Sequence, residues 1–183
     1  RQIAGCKAEL LVHLRDGAVA SNRYPFSGSA ADDQPSALSF TQERLWFMEQ
    51  LQPESALYNL CRAVRIHGLL RVSALESSLN EIRRRHESLR MKFLEIDGRP
   101  CQIASPAEDR TLTIVDLRGL SEAQRETEAS RLVRAEVRRP FVLARGENLR
   151  VCLLRLSDAE HILALTTHHI VADAWSMGIL TGE

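Results

Sequence analysis

The stretch Thr167-His168-His169-Ile170-Val171-Ala172-Asp173-Ala174-Trp175-Ser176 decides how this chain reads. It follows an apolar run, Ile162-Leu163-Ala164-Leu165, whose length and residue types fit a strand. Two adjacent histidines therefore stand at a strand end. Asp173 comes four residues after His169, and Trp175 two residues after that. Imidazole is the side chain whose ordinary pKa lies nearest neutrality, so it is the usual proton handler. A strand end mounts it rigidly, and the loop beyond can hold Asp173 as an orienting partner. Neighbouring side chains on an extended strand face opposite sides, so only one of the two rings readily faces a channel. The same opposition argues against a metal site built from both rings and Asp173.

Working outward, 183 residues suffice for one well-buried domain with a tail. The chain is 44% apolar and 26% charged, as in soluble globular proteins. Its formal net charge is +0, so no long-range field recruits nucleic acid or an anionic membrane. The short basic runs Arg83-Arg84-Arg85 and Arg138-Arg139 read as solvated helix faces. Cys6, Cys61, Cys101 and Cys152 form no Cys-x-x-Cys pair, which removes the zinc-knuckle and thioredoxin-like readings. Cys61 and Cys152 lie in strand-like runs and read as small buried hydrophobes. No apolar run reaches the ~18 residues of a membrane span, and no signal peptide is visible. Reduced thiols without an export signal point to the cytoplasm. The start at Arg1 rather than Met reads as an excised piece.

Residues 3–15 read as a short amphipathic helix ended by Gly17, and residues 16–35 as a polar linker. The compact domain is expected over residues 36–183. Three capping-box patterns, Ser39-x-x-Gln42, Ser73-x-x-Glu76 and Ser121-x-x-Gln124, each precede an apolar run at helical spacing. Strands are expected over residues 58–67, 89–96, 100–103, 112–115, 150–156 and 162–167. Asp97-Gly98 predicts a tight hairpin turn, and residues 157–160 a second one. The order implies an α/β (α+β) fold, a mixed sheet with flanking helices and some antiparallel pairing.

The pattern His-His-x-x-x-Asp-x-Trp at His168–Trp175 resembles the active-site motif of nonribosomal peptide synthetase condensation domains, within the chloramphenicol acetyltransferase-like superfamily. Ser36-Ala37-Leu38-Ser39-Phe40-Thr41-Gln42-Glu43-Arg44-Leu45-Trp46-Phe47 resembles that family's first core motif, and Arg85-His86-Glu87-Ser88-Leu89-Arg90-Met91-Lys92-Phe93 its second. Pro140-Phe141-Val142-Leu143 is similar to its Pro-Phe-Asp-Leu stretch. Cyclising domains carry aspartates in place of the paired histidines, so that subclass does not fit. There are departures too. Phe40-Thr41, Met91 and Thr167 differ from the usual residues, and Ala174 stands where glycine is usual. If that backbone needs positive φ, alanine there costs ~1 kcal/mol.

The resemblance implies a chloramphenicol acetyltransferase-like half-domain, the N-terminal lobe of a two-lobed protein whose C-terminal lobe is absent here. It implies amide bond formation between a carrier-bound acyl or peptidyl thioester and a carrier-bound aminoacyl thioester. His169 is then the catalytic residue beside the attacking amine. His168 packs and hydrogen-bonds. Asp173 shapes the loop through a salt bridge to an arginine, with Arg85 and Arg90 the candidates and Arg90 favoured. Trp175 packs the following helix down as a core residue. Ser176 caps that helix, or offers a donor to the intermediate's oxygen. No metal or cofactor is expected on this lobe. Phosphopantetheine belongs to the partners: an upstream donor carrier protein and a downstream acceptor carrier, beside the missing lobe and an adenylation domain. An isolated lobe is expected to be inactive. Two other readings remain open: a coenzyme A-dependent His-x-x-x-Asp acyltransferase, and a non-catalytic scaffold or docking lobe.

Overall fold

A computed structural model describes residues 34–53 and 55–183, and a compact unit spans Asp33–Glu183. The predicted helix over residues 3–15 and nearly all of the linker lie outside the described residues. In chain order the elements are β1 (Ser36–Ala37), α1 (Phe40–Leu51), β2 (Asn59–His67), α2 (Val72–Arg85), β3 (Met91–Ile96), β4 (Arg99–Ala104), β5 (Thr113–Asp116), α3 (Glu122–Arg138), β6 (Leu149–Ser157), β7 (Glu160–His168) and α4 (Ala174–Leu180). Short 3-10 turns occupy Glu87–Arg90 and Leu143–Arg145.

There are two sheets rather than one. A small antiparallel sheet has the order β1-β4-β3, and a larger one the order β2-β7-β6-β5. In the larger sheet, β7 pairs antiparallel with both β2 and β6, while β5 runs parallel to β6. A parallel pair needs a crossover, and α3 supplies it. The mixed sheet with flanking helices expected from the element order is therefore present, with a second sheet beside it.

Strand alternation assigns the two faces of the large sheet. Val151, Leu153, Leu163 and Leu165 join Leu79 and Ile82 of α2 in one buried cluster. Leu154 and Leu156 point the other way and join Ala129, Leu132 and Val133 of α3. With a helix on each face, β6 and β7 read as near-continuous apolar runs. A third cluster, with Leu45, Phe93, Phe141, Leu143 and Ile170, connects the small sheet to the loop after β7.

The Asp97-Gly98 turn has φ of 51° and 72°, the signature of a type I′ hairpin. The Ser39 box caps α1 as expected, with Gln42 N–H donating to Ser39 Oγ at 3.3 Å and Ser39 N–H to Gln42 Oε1 at 2.9 Å. At α3, Ser121 N–H donates to Gln124 Oε1 at 3.0 Å. The Ser73 box does not form. α2 starts one residue earlier at Val72, and Arg71 at its N-cap makes no side-chain cap bond. Glu76 instead accepts from Leu112 N–H at 2.7 Å. Leu70 and Val72 pack on the first cluster, so burial sets where this helix begins. The strand expected from residue 89 starts at Met91. The buried Asn148 amide donates to the Ser88 and Met91 carbonyls and holds the preceding residues as a 3-10 turn.

Leu153 is fully buried, at 0% exposure between β7 and α2. Leu153→Ala leaves a cavity there and is expected to cost about 3 kcal/mol of stability. Urea unfolding of the two chains checks this, and an unchanged midpoint contradicts the assigned core.

Candidate active site at the end of strand β7

Strand β7 ends at His168, whose ladder partner is Asn59 of β2. One residue on, the His169 backbone N–H donates to the Tyr58 carbonyl at 2.8 Å. Both histidines thus sit on backbone fixed by the sheet, and the pleat separates their rings. His168 is 1% exposed, whereas His169 is exposed.

The two rings hold opposite tautomers. His169 Nδ1 lies 2.8 Å from the Ala172 carbonyl. A carbonyl only accepts, so Nδ1 carries the proton and donates it. The neutral ring then keeps its lone pair on Nε2. At His168 the roles reverse. Ile170 N–H donates to His168 Nδ1 at 3.1 Å, so the proton is on Nε2. That nitrogen faces Glu49 Oε2 of α1 at 3.8 Å. Neither atom has a hydrogen-bond partner among the described residues.

Burial pushes the His168 pKa down to about 4, and charge on His169 adds to the effect. Burial pushes the Glu49 carboxyl up. Both groups are driven toward their neutral forms, as expected for ionisable side chains taken out of water. The His168 ring lies edge-on to Tyr58 and Phe141, with centroids 6.2 and 6.1 Å away. Phe141 is held in turn by the Arg150 guanidinium, 3.7 Å from its ring centroid. Arg150 pairs with Glu136 at 2.6 Å and donates to the Glu136, Arg139 and Pro140 carbonyls. Asn59 donates to the Val137 and Arg139 carbonyls. Residues of β2 and β6 thereby satisfy the orphan carbonyls at the end of α3.

Asp173 is the N-cap of α4. Its Oδ1 accepts from Ser176 N–H at 2.8 Å and from Ser176 Oγ at 2.7 Å. Those two bonds hold its carboxyl below the usual range, and charge on His169 adds a smaller contribution. The expected salt bridge is not there. Arg90 donates to the Ser105 carbonyl and lies 3.7 Å from Glu87. Arg85 reaches Glu183 at 3.3 Å and Glu81 at 3.8 Å. Asp173 Oδ1 is taken by its own helix, and both arginines are engaged with other partners. Ser176 is not the cap but the third residue of the helix, bonding back to it.

Two further expectations are corrected. Trp175 is 79% exposed, not a core residue. Met177 is the buried residue of α4, and a side chain two positions earlier is turned about 200° away from it. Ala174 opens α4, and Asp97 is the sole non-glycine residue with positive φ among the described residues. The loop therefore does not need glycine there, and alanine carries no strain.

A groove of about 180 Å³ runs beside the loop, lined in part by Leu89, Thr167, Val171, Ser176, Met177 and Leu180. The Thr167 hydroxyl is buried beside it without a partner among the described residues. Sequence reasoning missed Glu49, Tyr58, Phe141 and Arg150 as supports. Glu49 left a signal: it lies four residues after buried Leu45, a carboxylate on the apolar stripe of α1. The Tyr58 carbonyl left none, because any residue supplies one. Among the described residues no group of three or more side chains is placed to hold a metal, and no helix is long and apolar enough to cross a membrane.

The geometry sets two expectations for solution measurements. Between the ordinary histidine pKa of 6.5 and about 4, the unfolded chain binds a proton at this position that folded His168 does not. Stability contributed by His168 is therefore present above pH 6.5 and lost as pH falls across that window, by up to about 3 kcal/mol. Glu49, with its pKa raised, acts in the opposite sense and offsets part of the loss. The acid limb of a stability–pH curve is expected to be shallower for His168→Phe than for the parent chain; parallel limbs contradict the assignment. Separately, Asp173→Ala is expected to lower the unfolding midpoint by removing the cap, with Asp173→Asn close to the parent. Arg90→Gln is expected to have the same effect in either background, because the two residues share no partner. Coupling between them in a double-mutant cycle would restore the salt bridge.

The family model for the condensation domain matches residues 33–183. A linear gramicidin synthase polypeptide of Brevibacillus parabrevis is 48% identical over 151 residues, covering 82% of this chain and 2% of that protein. Phosphinothricin tripeptide synthetase PhsC of Streptomyces viridochromogenes is 42% identical over 149 residues, covering 81% of this chain and 14% of that one. Among solved structures, the starter condensation domain of rhizomide synthetase aligns with a TM-score of 0.73 at 26% identity. That alignment covers 81% of this chain and 35% of that one. The first condensation domain of the calcium-dependent antibiotic synthetase, solved with a substrate analogue, aligns with a TM-score of 0.72 at 28% identity. It covers 80% of this chain and 35% of the other. The chain thus spans a small part of the synthetases it resembles. The fold, the histidine pair at its strand end and the match over nearly all of the described residues agree: this chain belongs to the condensation domain family.

Proposed function

We propose that this chain supplies the histidine-bearing wall of a site that forms amide bonds in nonribosomal peptide synthesis. The observation that carries the reading is the tautomer of His169. Its Nδ1 proton is committed to Ala172 O, and the ring is exposed, so Nε2 is available to accept a proton from an incoming amine. The neutral amine of an aminoacyl thioester attacks the carbonyl of an acyl or peptidyl thioester. A C–N bond forms, and the tetrahedral intermediate carries an ammonium and an oxyanion. Nε2 takes the ammonium proton. The C–S bond then breaks, and the departing thiolate receives that proton, leaving an amide and a free thiol. His169 returns to its starting tautomer.

Both thioesters are proposed to arrive on the phosphopantetheine arms of an upstream and a downstream carrier protein, with an adenylation domain loading the acceptor and a second lobe closing the channel. Much of the acceleration then comes from holding two tethered reactants together, since effective molarities reach ~10⁵ M or more. His168, Asp173 and Ser176 position the loop and touch no substrate. Arg85 and Arg90 stabilise their own segments. The proposed setting is the cytoplasm, where the ATP for aminoacyl activation is found.

A second reading changes only the donor. The rhizomide starter domain at 26% identity was solved in complex with C8-CoA, which favours a coenzyme A thioester as the acyl source. One assay addresses both. A synthetase module containing this chain is given a loaded acceptor carrier and either a loaded donor carrier or an acyl-coenzyme A, and amide product is followed by mass spectrometry. Product from the carrier donor alone supports the first reading. In the same assay His169→Ala is expected to lower kcat by roughly 10²–10⁴-fold. An unchanged rate supports a scaffold role instead.

A further inference from the structure

A second cavity, of about 100 Å³, is lined by none of the residues of the histidine loop. Its walls come from the end of α2, the start of β3, the segment after β4 and the turn before β6. Five cations face it, Arg83, Arg90, Lys92, Arg110 and Arg145, against two carboxylates, Glu108 and Glu147. Glu147 is taken by Arg110 at 2.8 Å. Arg90 meets Glu87 at 3.7 Å. Arg83, Lys92 and Arg145 have no carboxylate within 4.0 Å among the described residues.

Two buried donors in the same walls are unsatisfied. Arg90 Nε and Ser105 Oγ have no hydrogen-bond partner among the described residues. Arg83 spends one N–H on Asn80 Oδ1 at 3.0 Å. Burial and the charge on Arg110 both disfavour its guanidinium, so its charge is uncompensated where it sits. The cavity is also kept open by backbone. Gly146 has φ of +70°, and a Cβ there would come within 3.0 Å of the Arg90 carbonyl and 3.1 Å of Lys92 Cγ and Ser105 Oγ.

Water can satisfy orphan donors, but it cannot balance excess positive charge. An anion does both. A tetrahedral oxyanion presents several acceptor oxygens in different directions, which suits guanidinium, ammonium and hydroxyl donors converging from separate elements. A cavity of this volume has room for one such group. We propose that it is a binding site for a phosphate group, as the free ion or as an ester. The site is separate from His169, and its existence does not depend on the amide-forming reading.

Isothermal titration of the 183-residue chain with inorganic phosphate, at ionic strength fixed with sodium chloride, tests it. Saturable binding is expected, weakened tenfold or more by Arg83→Gln. Arg131→Gln removes a cation from the exposed Arg131–Glu128 pair on α3 and is expected to leave binding unchanged. If Arg83→Gln loses the folded circular dichroism signal, Lys92→Gln serves in its place with the same expected loss. Methyl phosphate binding as tightly as the ion assigns the site to esters, and binding tenfold weaker assigns it to the free ion. No saturable phosphate binding, or equal affinity in the parent, Arg83→Gln and Lys92→Gln, overturns the proposal.

Discussion

The pleat of β7 is the constraint on which the site depends. Because side chains alternate along a strand, a ladder that runs unbroken to His168 commits that ring to the interior and turns the next one outward. A one-residue slip of β7 against β2 would exchange the two histidines and every core residue behind them. The register is fixed by Leu163 and Leu165 on one face and Ala164 on the other, all buried between α2 and α3. The position of the exposed ring is therefore set by hydrophobic packing well inside the domain. The last bond, from His169 N–H to Tyr58 O, carries that register one residue past the strand.

How far this was legible depended on whether the information was local. Asp97-Gly98, the Ser39 box and the apolar runs of β6 and β7 carry their own structural instructions, and each appears where the sequence implied. The Ser73 box carried the same local instruction and lost to tertiary packing, because Glu76 found a better partner in the Leu112 amide. The split into two sheets was illegible, since pairing of Ser36–Ala37 with β4 leaves no mark on residues so few and so exposed. At the site, the alternation argument separated His168 from His169, but it was silent on which carbonyl or carboxylate each ring would meet. The salt bridge from Asp173 to Arg90 or Arg85 was implied by the family resemblance alone, with no local signal in the sequence behind it. In the fold a helix backbone amide and a neighbouring hydroxyl both donate to one oxygen of that carboxylate, and the arginines pair elsewhere.

The buried side of the site follows a different logic. His168 and Glu49 oppose each other across 3.8 Å in an apolar setting. Ionising either one alone would place an uncompensated charge among Tyr58, Phe141 and the residues around them. Burial accordingly drives each toward its neutral form, raising the Glu49 carboxyl and lowering the His168 imidazole to about 4. The buried ring is thereby uncharged at neutral pH beside an exposed ring one residue along the chain.

Asp173 completes the frame from the other end. As the N-cap of α4 it accepts from the first turn of that helix, where carboxylates are favoured by the unsatisfied amides. Between the last ladder bond at Tyr58 and this cap lie only His169 and three loop residues, with the Ala172 carbonyl held by the His169 ring itself. The loop is thus pinned at both ends and tied across its middle. In that arrangement the aspartate and the histidine are linked through the backbone, the cap fixing one end of the segment that carries the Ala172 carbonyl. The proton on Nδ1 is held by that carbonyl, with no arginine counter-ion on Asp173. Ala174 fits the same logic: once the aspartate caps, the next residue is simply the first of a helix, and alanine suits that position better than glycine.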